Sequence, residues 1–244
     1  KSRSEVKVGR FISQMFPGKY QVNVKRGEQT TKPEDIESFV NMYIAVVESK
    51  SKKLDVVSGE DIRKYYNCDN YFQLKGTLGG SCMRDPEKGS QLDIYVKNPE
   101  KVSMVILYPE DIRDKIIGRA ILWKLDRING QPVEDTYFMD RIYTANDSDE
   151  FMFKDYAKKK GYLTKATQTY GYDYKIEKPD GTKEHMNLDV DLYPVDYGQK
   201  YPYADTMQFY NPKTGNITND VKSYNKGGYG EMTDYNGSFR VIEN

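Results

Sequence analysis

Apolar positions along the chain change their period, and the changes predict the elements. From Lys32 to Lys52, Ile36, Phe39, Val40, Tyr43, Ile44 and Val47 recur at helical spacing as one stripe. Thr31 and Glu34 form a capping box and Pro33 sits in the first turn, so a helix is expected over residues 32–52. Leu54–Val57 reads as a short strand. Ser58 and Asp61 suggest a second capping box, opening a short helix with Ile62, Tyr65 and Tyr66 on one face. Ser90 and Asp93 suggest a third. The middle of the chain shifts to β-branched and aromatic runs: Lys101–Tyr108, Ile116–Leu125 and Thr136–Ala145. Asn129-Gly130 between the second and third is a hairpin signal. Three antiparallel strands of one sheet are expected. Asp147 and Glu150 then cap a helix over Ser148–Lys160, with Met152, Phe153, Tyr156 and Ala157 inward and Gly161 as its stop.

Leu163–Tyr170 is expected to be a strand. Residues 172–193 read as a hairpin around Pro179-Asp180-Gly181. Its second arm alternates, with Met186, Leu188, Val190 and Leu192 on one face and His185, Asn187, Asp189 and Asp191 on the other. A further turn, Pro212–Asn216, joins two short segments. The expected fold is α+β: a mixed, mostly antiparallel sheet with flanking helices and a β-hairpin-rich C-terminal part. The expected division is a basic arm (1–31), a main domain (32–193) and a tyrosine- and glycine-rich extension packed on it (194–244).

Composition narrows the function classes. Of 244 residues, 37% are hydrophobic, below the usual ~45–50%. Tyrosine fills part of the gap with 22 residues, twelve of them in the last 83. No apolar run approaches the ~20 residues of a membrane span, and no signal peptide is read at the start. The expectation is a cytoplasmic protein with reduced thiols and no membrane partner. Two cysteines and one histidine cannot supply the four ligands of a Cys/His zinc site. The 37 basic and 37 acidic residues cancel, which argues against bulk capture of nucleic acid. Residues 1–32 nevertheless carry eight Lys/Arg, so nucleic-acid contact through this arm stays open beside a solvated terminus.

Four groups of residues could carry chemistry. Cys82 and His185 are the only Cys–His dyad with an exposed turn behind it, and make Cys82 a candidate nucleophile. The carboxylates of 185–191 read as a solvated strand face rather than a cation site. Gly79, Gly80 and Ser81 lie in a glycine-rich turn, Gly76–Arg84, whose amides and Arg84 could hold an anion. The turn lacks the P-loop signature, and a tight turn needing positive φ is the alternative. Arg119, Asp140 and Arg141 interrupt apolar strands. Asp140 and Arg141 are adjacent and so should face opposite ways. Arg119 and Asp140 read either as a structural ion pair or as parts of a cleft in which Asp140 or a tyrosine is the general base and Arg119 and Arg141 bind ligand.

The element order from residue 54 onward resembles that of the GNAT-type N-acetyltransferases. That resemblance implies a GNAT-like core, an acyl-CoA cofactor admitted between splayed central strands, and transferase activity on a host or phage macromolecule or nucleotide. The family holds the CoA pyrophosphate with a Gly-rich, Arg/Gln-containing turn before the long helix. Here that turn is Ala145–Glu150, acidic and free of glycine. The alternative is therefore a non-catalytic binding protein on the same body, recognising an anionic small molecule or a host or phage protein. In wording, Gly76–Arg84, Gly118–Trp123, Phe138–Tyr143 and Tyr201–Thr206 are similar to an uncharacterised group of tailed-bacteriophage proteins. This implies a phage origin, in the cytoplasm of an infected bacterium or on the virion.

Overall fold

A computed structural model describes residues 51–168, 175–195 and 201–220, and the backbone of 240–241. All belong to one unit, Ser51–Asn244. The basic arm and nearly all of the expected helix 32–52 lie outside the described residues, and Lys52, its expected last residue, opens a strand instead. The Tyr170 end of the expected strand 163–170 also lies outside them.

The chain is α+β with a mixed, mostly antiparallel main sheet. Strand β1 (Lys52–Ser58) leads into α1 (Glu60–Tyr66), the one-turn α2 (Gly76–Gly79) and the one-turn α3 (Asp93–Val96). Then come β2 (Val102–Pro109), β3 (Gly118–Lys124), the short β4 (Arg127–Ile128) and β5 (Gln131–Pro132), and β6 (Tyr137–Thr144). Helix α4 (Glu150–Lys160) follows, then β7 (Leu163–Lys165), β8 (Lys175–Glu177), β9 (Lys183–His185) and β10 (Leu188–Asp191). Last are β11 (Phe209–Tyr210), β12 (Asn216–Thr218) and β13 (Arg240–Val241).

Seven strands form the main sheet in the order β1-β2-β3-β6-β7-β8-β9. The three central strands expected from the middle of the chain are neighbours in it, all antiparallel. Among the described residues, the parallel pair of this sheet is β6 with β7. The second sheet runs β13-β11-β12-β10-β4-β5. Asn129 and Gly130 both adopt positive φ at the β4–β5 turn, as that dipeptide predicts. The small hairpin, however, leaves the main sheet and joins the second one.

Burial follows the period-2 pattern of the strands. Val102, Met104 and Ile106 of β2 and Ile121 and Trp123 of β3 enter one core, shared with α1, α3 and the second sheet. Val105, Leu107, Ala120 and Leu122 enter the other, against Phe153 and Ala157 of α4. Met186, Leu188, Val190 and Leu192 are buried while His185 and Asp191 are exposed, as the alternation requires. The arm is not one strand, because it crosses from the main sheet at His185 to the second sheet at Leu188. Asp191 is held by a bidentate pair with Arg127, at 2.7 Å for both bonds. Tyr201, Ala204, Met207, Tyr210 and Ile217 lie in the same core as β2 and β3.

Three expected helix caps are corrected, the last being that of α4, which begins at Glu150 rather than Ser148, behind the 3-10 turn Asp147–Asp149, with no side-chain cap. Ser58 is still in β1, paired with Ser103, and the chain enters α1 through Gly59 at φ 60° with no side-chain cap. Asp85 rather than Ser90 caps the 3-10 turn Pro86–Leu92, and Asp93 pairs with Arg63 at 2.9 Å. Gly161 ends α4 in the left-handed conformation, φ 75°.

Candidate functional site

Of the four groups singled out in the sequence, two meet on one face of the main sheet: the glycine-rich turn, through Ser81, and Arg119 with Asp140 and Arg141. Arg119 starts from β3, and its residue partner on β6 is Tyr143, not Asp140. Arg119 is 2% exposed. Its guanidinium carbon lies 3.8 Å over the Tyr66 ring and 4.8 Å from that of Tyr143, a desolvated cation–π sandwich. Nη2 donates to Ser81 Oγ at 2.8 Å, and Nε reaches Tyr71 Oη at 3.5 Å. Among the described residues no carboxylate lies in ion-pair range of it. The expected Arg119–Asp140 ion pair is therefore not formed.

Asp140 lies three positions along β6 from Tyr143, the residue that faces Arg119, and β6 carries a bulge at Asp140 and Arg141. Ala120 pairs with Ile142 and Leu122 with Met139, so Ile121 alone faces two residues, Asp140 and Arg141. The extra residue resets the alternation. Asp140 and Arg141, expected on opposite faces, line the same cavity as Arg119, Ile121 and Trp123. The cavity measures about 20 Å³, room for about one water-sized occupant.

Charge in the cavity is distributed by a segment that the sequence reading did not place there. Asp205 accepts from Arg141 Nη1 at 3.0 Å and from Tyr143 Oη at 2.6 Å. Thr206 Oγ1 donates to Asp140 Oδ1 at 2.6 Å, and the Arg141 amide donates to the same oxygen at 2.8 Å. Tyr203 and Ala204 complete the wall. Sequence similarity had marked Tyr201–Thr206 without assigning it a role. Burial pushes the Tyr66 hydroxyl up to about 12. It also raises Tyr143, with the Asp205 carboxylate adding to the effect. Arg119 stays firmly charged: burial opposes the charge, but the surrounding tyrosine oxygens outweigh it.

The glycine-rich turn packs against the end of β6. Thr77 Oγ1 donates to the Thr144 carbonyl at 3.3 Å and accepts from its amide at 2.9 Å. Gly76, at φ +62°, approaches so closely that an added Cβ would lie 2.4 Å from the Thr144 carbonyl oxygen. Gly79 closes against the backbone of Leu74, and Gly80 caps α2. This packing delivers Ser81 to Arg119. The tight-turn reading with its positive φ thus describes Gly76, while Gly79 has ordinary φ and is held by its close approach to Leu74. Arg84 and Cys82 are exposed and do not line the cavity. Both cysteines are free thiols. His185 sits exposed on the edge strand β9, and no hydrogen bond among the described residues joins it to Cys82. No group of His, Cys, Asp or Glu among the described residues could hold a metal ion. No described helix is long and apolar enough to cross a membrane.

Burial, and next the Asp205 carboxylate, raise the Asp140 carboxyl above its ordinary range, with Lys165 opposing. A raised carboxyl keeps its proton to higher pH in the native state than in the unfolded chain. Stability from this group is then greatest below about pH 4 and falls as pH rises through the folded value. Asp140→Asn cannot ionise and escapes that fall. The expected result is no large drop in melting temperature, and a difference from wild type that moves in the variant's favour from about pH 4 to about pH 7. Thermal melts across that range check it. A loss that instead deepens with pH would mean the carboxylate is a stabilising ion.

No protein-family model, curated protein or solved structure matches the chain.

Proposed function

We propose that this chain is a non-catalytic recognition protein with a GNAT-like body. The element order supports the likeness: β1, β2, β3 and β6 run antiparallel in sequence order, α4 follows, and β7 returns parallel to β6. The parallel pair joins only Phe138 with Leu163 and Met139 with Thr164. Past the bulge, the Ile142 amide donates to the Gln168 side chain at 2.7 Å instead of to a strand backbone. The parting of β6 and β7 near Asp140 supports the likeness.

The observation that carries the non-catalytic reading is at the start of α4. Asp149 is 0% exposed there. Its carboxylate accepts from Lys52 Nζ at 2.6 Å and from Asn146 Nδ2 at 3.2 Å. The helix end that would attract a pyrophosphate already holds the chain's own anion. With a cavity of only about 20 Å³ at Asp140, recognition of a partner is favoured over turnover of a cofactor. The phage resemblance makes that partner a host or virion protein, or an anionic small molecule.

Titration calorimetry and native mass spectrometry with acetyl-CoA and CoA test this. The expected result is no saturable binding at millimolar ligand. Saturable binding together with acetyl transfer to any acceptor would overturn it and support the second reading, a transferase. One observation favours that second reading: a carboxyl raised by burial, beside an opening between strands, suits a general base. Under it, Asp140→Asn abolishes transfer while leaving the melting temperature almost unchanged.

A further inference from the structure

The cavity beneath Tyr66 and Tyr203 is rich in donors without acceptors. Trp123 is 1% exposed and lines it. Its indole N–H is buried and meets no hydrogen-bond acceptor in the structure. Arg141 spends Nη1 on Asp205, while its buried Nε–H meets none. Arg119 has five N–H donors, and two bonds are formed from them, to Ser81 and, at the limit of range, to Tyr71. Buried donors are ordinarily satisfied, and an orphan costs about 1–3 kcal/mol.

Of the carboxylate oxygens nearby, both of Asp205 and Oδ1 of Asp140 are already engaged. Asp205 serves Arg141 and Tyr143, and Asp140 serves Thr206 and the Arg141 amide. Arg119, and Lys165 buried near Asp140 but outside the cavity's lining, add two cations with no carboxylate within ion-pair distance among the described residues. With Arg141, three cations stand against two carboxylates, so the cluster carries a net positive charge even with Asp140 ionised. A buried net charge of that kind is costly unless compensated.

We propose that this cavity is a subsite for a small monovalent anion, no larger than a carboxylate group. Arg119 supplies the charge, and the Trp123 indole N–H and Arg141 Nε–H supply direction. The anion is either a free halide or the carboxylate terminus of a larger ligand. The volume of about 20 Å³ takes one water-sized atom, a halide or a single carboxylate oxygen, and a phosphate would need the wall to open. The subsite stands whether the protein transfers a group or only binds one, since no acyl donor enters the argument.

The chain has one tryptophan, so a uniformly 15N-labelled sample shows one indole N–H resonance, and it reports this cavity alone. Sodium acetate, sodium chloride and sodium phosphate are titrated separately into the full chain, with sodium HEPES holding ionic strength constant. The expected result is a saturable shift of the indole resonance with acetate, with chloride, or with both, and none with phosphate. Saturation by acetate but not chloride assigns a ligand carboxylate, and saturation by chloride assigns a halide. Arg119→Lys, which keeps the charge and loses the donor fork, is expected to weaken the saturable shift at least tenfold. Should that variant fail to fold, the wild-type titration still decides. An indole resonance that stays fixed in acetate and in chloride overturns the proposal, as does one that drifts linearly in every salt, because either leaves water as the occupant.

Discussion

Asp205→Ala is expected to destabilise the protein by about 3–5 kcal/mol, the cost of breaking a buried pair by removing one partner. Asp205 is the single carboxylate that meets both Arg141 Nη1 and Tyr143 Oη. Arg141 has only 17% of its side chain exposed, and its Nε–H is already without an acceptor. Removing the carboxylate leaves a guanidinium and a phenol to be desolvated with nothing in return. For a chain of this length the loss corresponds to a fall of about 6–20 °C in melting temperature. Asp205→Asn keeps an acceptor of the same shape and should cost less. The double variant Arg141→Met/Asp205→Leu should recover most of the loss, since a buried pair exchanged for apolar groups of similar volume is often neutral or better. Urea melts of the three variants check this. A double variant as unstable as Asp205→Ala would mean that the loss is not the cost of a guanidinium left without its carboxylate.

Gly76→Ala should be nearly as damaging, for two reasons that add. At φ +62° an L side chain is strained, by about 1–2 kcal/mol. The new Cβ would also lie 2.4 Å from the Thr144 carbonyl oxygen and 2.6 Å from that of Ala145. Both are backbone atoms and cannot swing aside, so the turn must move, at a further cost of about 1–3 kcal/mol. The expected total is about 2–5 kcal/mol. Movement of the turn also breaks the paired bonds of Thr77 with Thr144 and carries Ser81 away from Arg119. Gly130→Ala is the control. Its φ is +76° but nothing lies within 4 Å of the added Cβ, so only the strain of about 1–2 kcal/mol remains. Denaturant midpoints that fall equally for the two variants would show that close packing of the turn contributes nothing.

Periodicity and turn chemistry carried the local structure. The runs around Met104, Ile121 and Phe138 are β-branched, aromatic and long enough to be strands whatever surrounds them. Their order in one sheet follows from short connections. Asn129-Gly130 names its turn because few residues adopt positive φ in succession, and Gly161 ends α4 for the same reason. Alternation at Met186–Leu192 predicted which side chains are buried, because a strand has only two faces. The residues that would carry a site were also visible as charges inside apolar runs: Arg119, Asp140 and Arg141.

How those charges are partnered was decided only in three dimensions. A bulge is one residue of register, and no local composition marks it, so Asp140 and Arg141 read as facing opposite ways when they share a cavity. Asp205 and Thr206 lie more than sixty positions from Asp140 in the sequence. Nothing in Tyr201–Thr206 itself says that it closes over β6, because that contact depends on how the second sheet is filled. The sequence could likewise show that Ala145–Glu150 is acidic, but not that Asp149 is turned inward onto Lys52, 97 residues away. Side-chain identity and local period determine which residues are buried and what each can donate or accept. Long-range register and chain packing determine which donor meets which acceptor, and here they left Arg119 among tyrosines rather than beside a carboxylate.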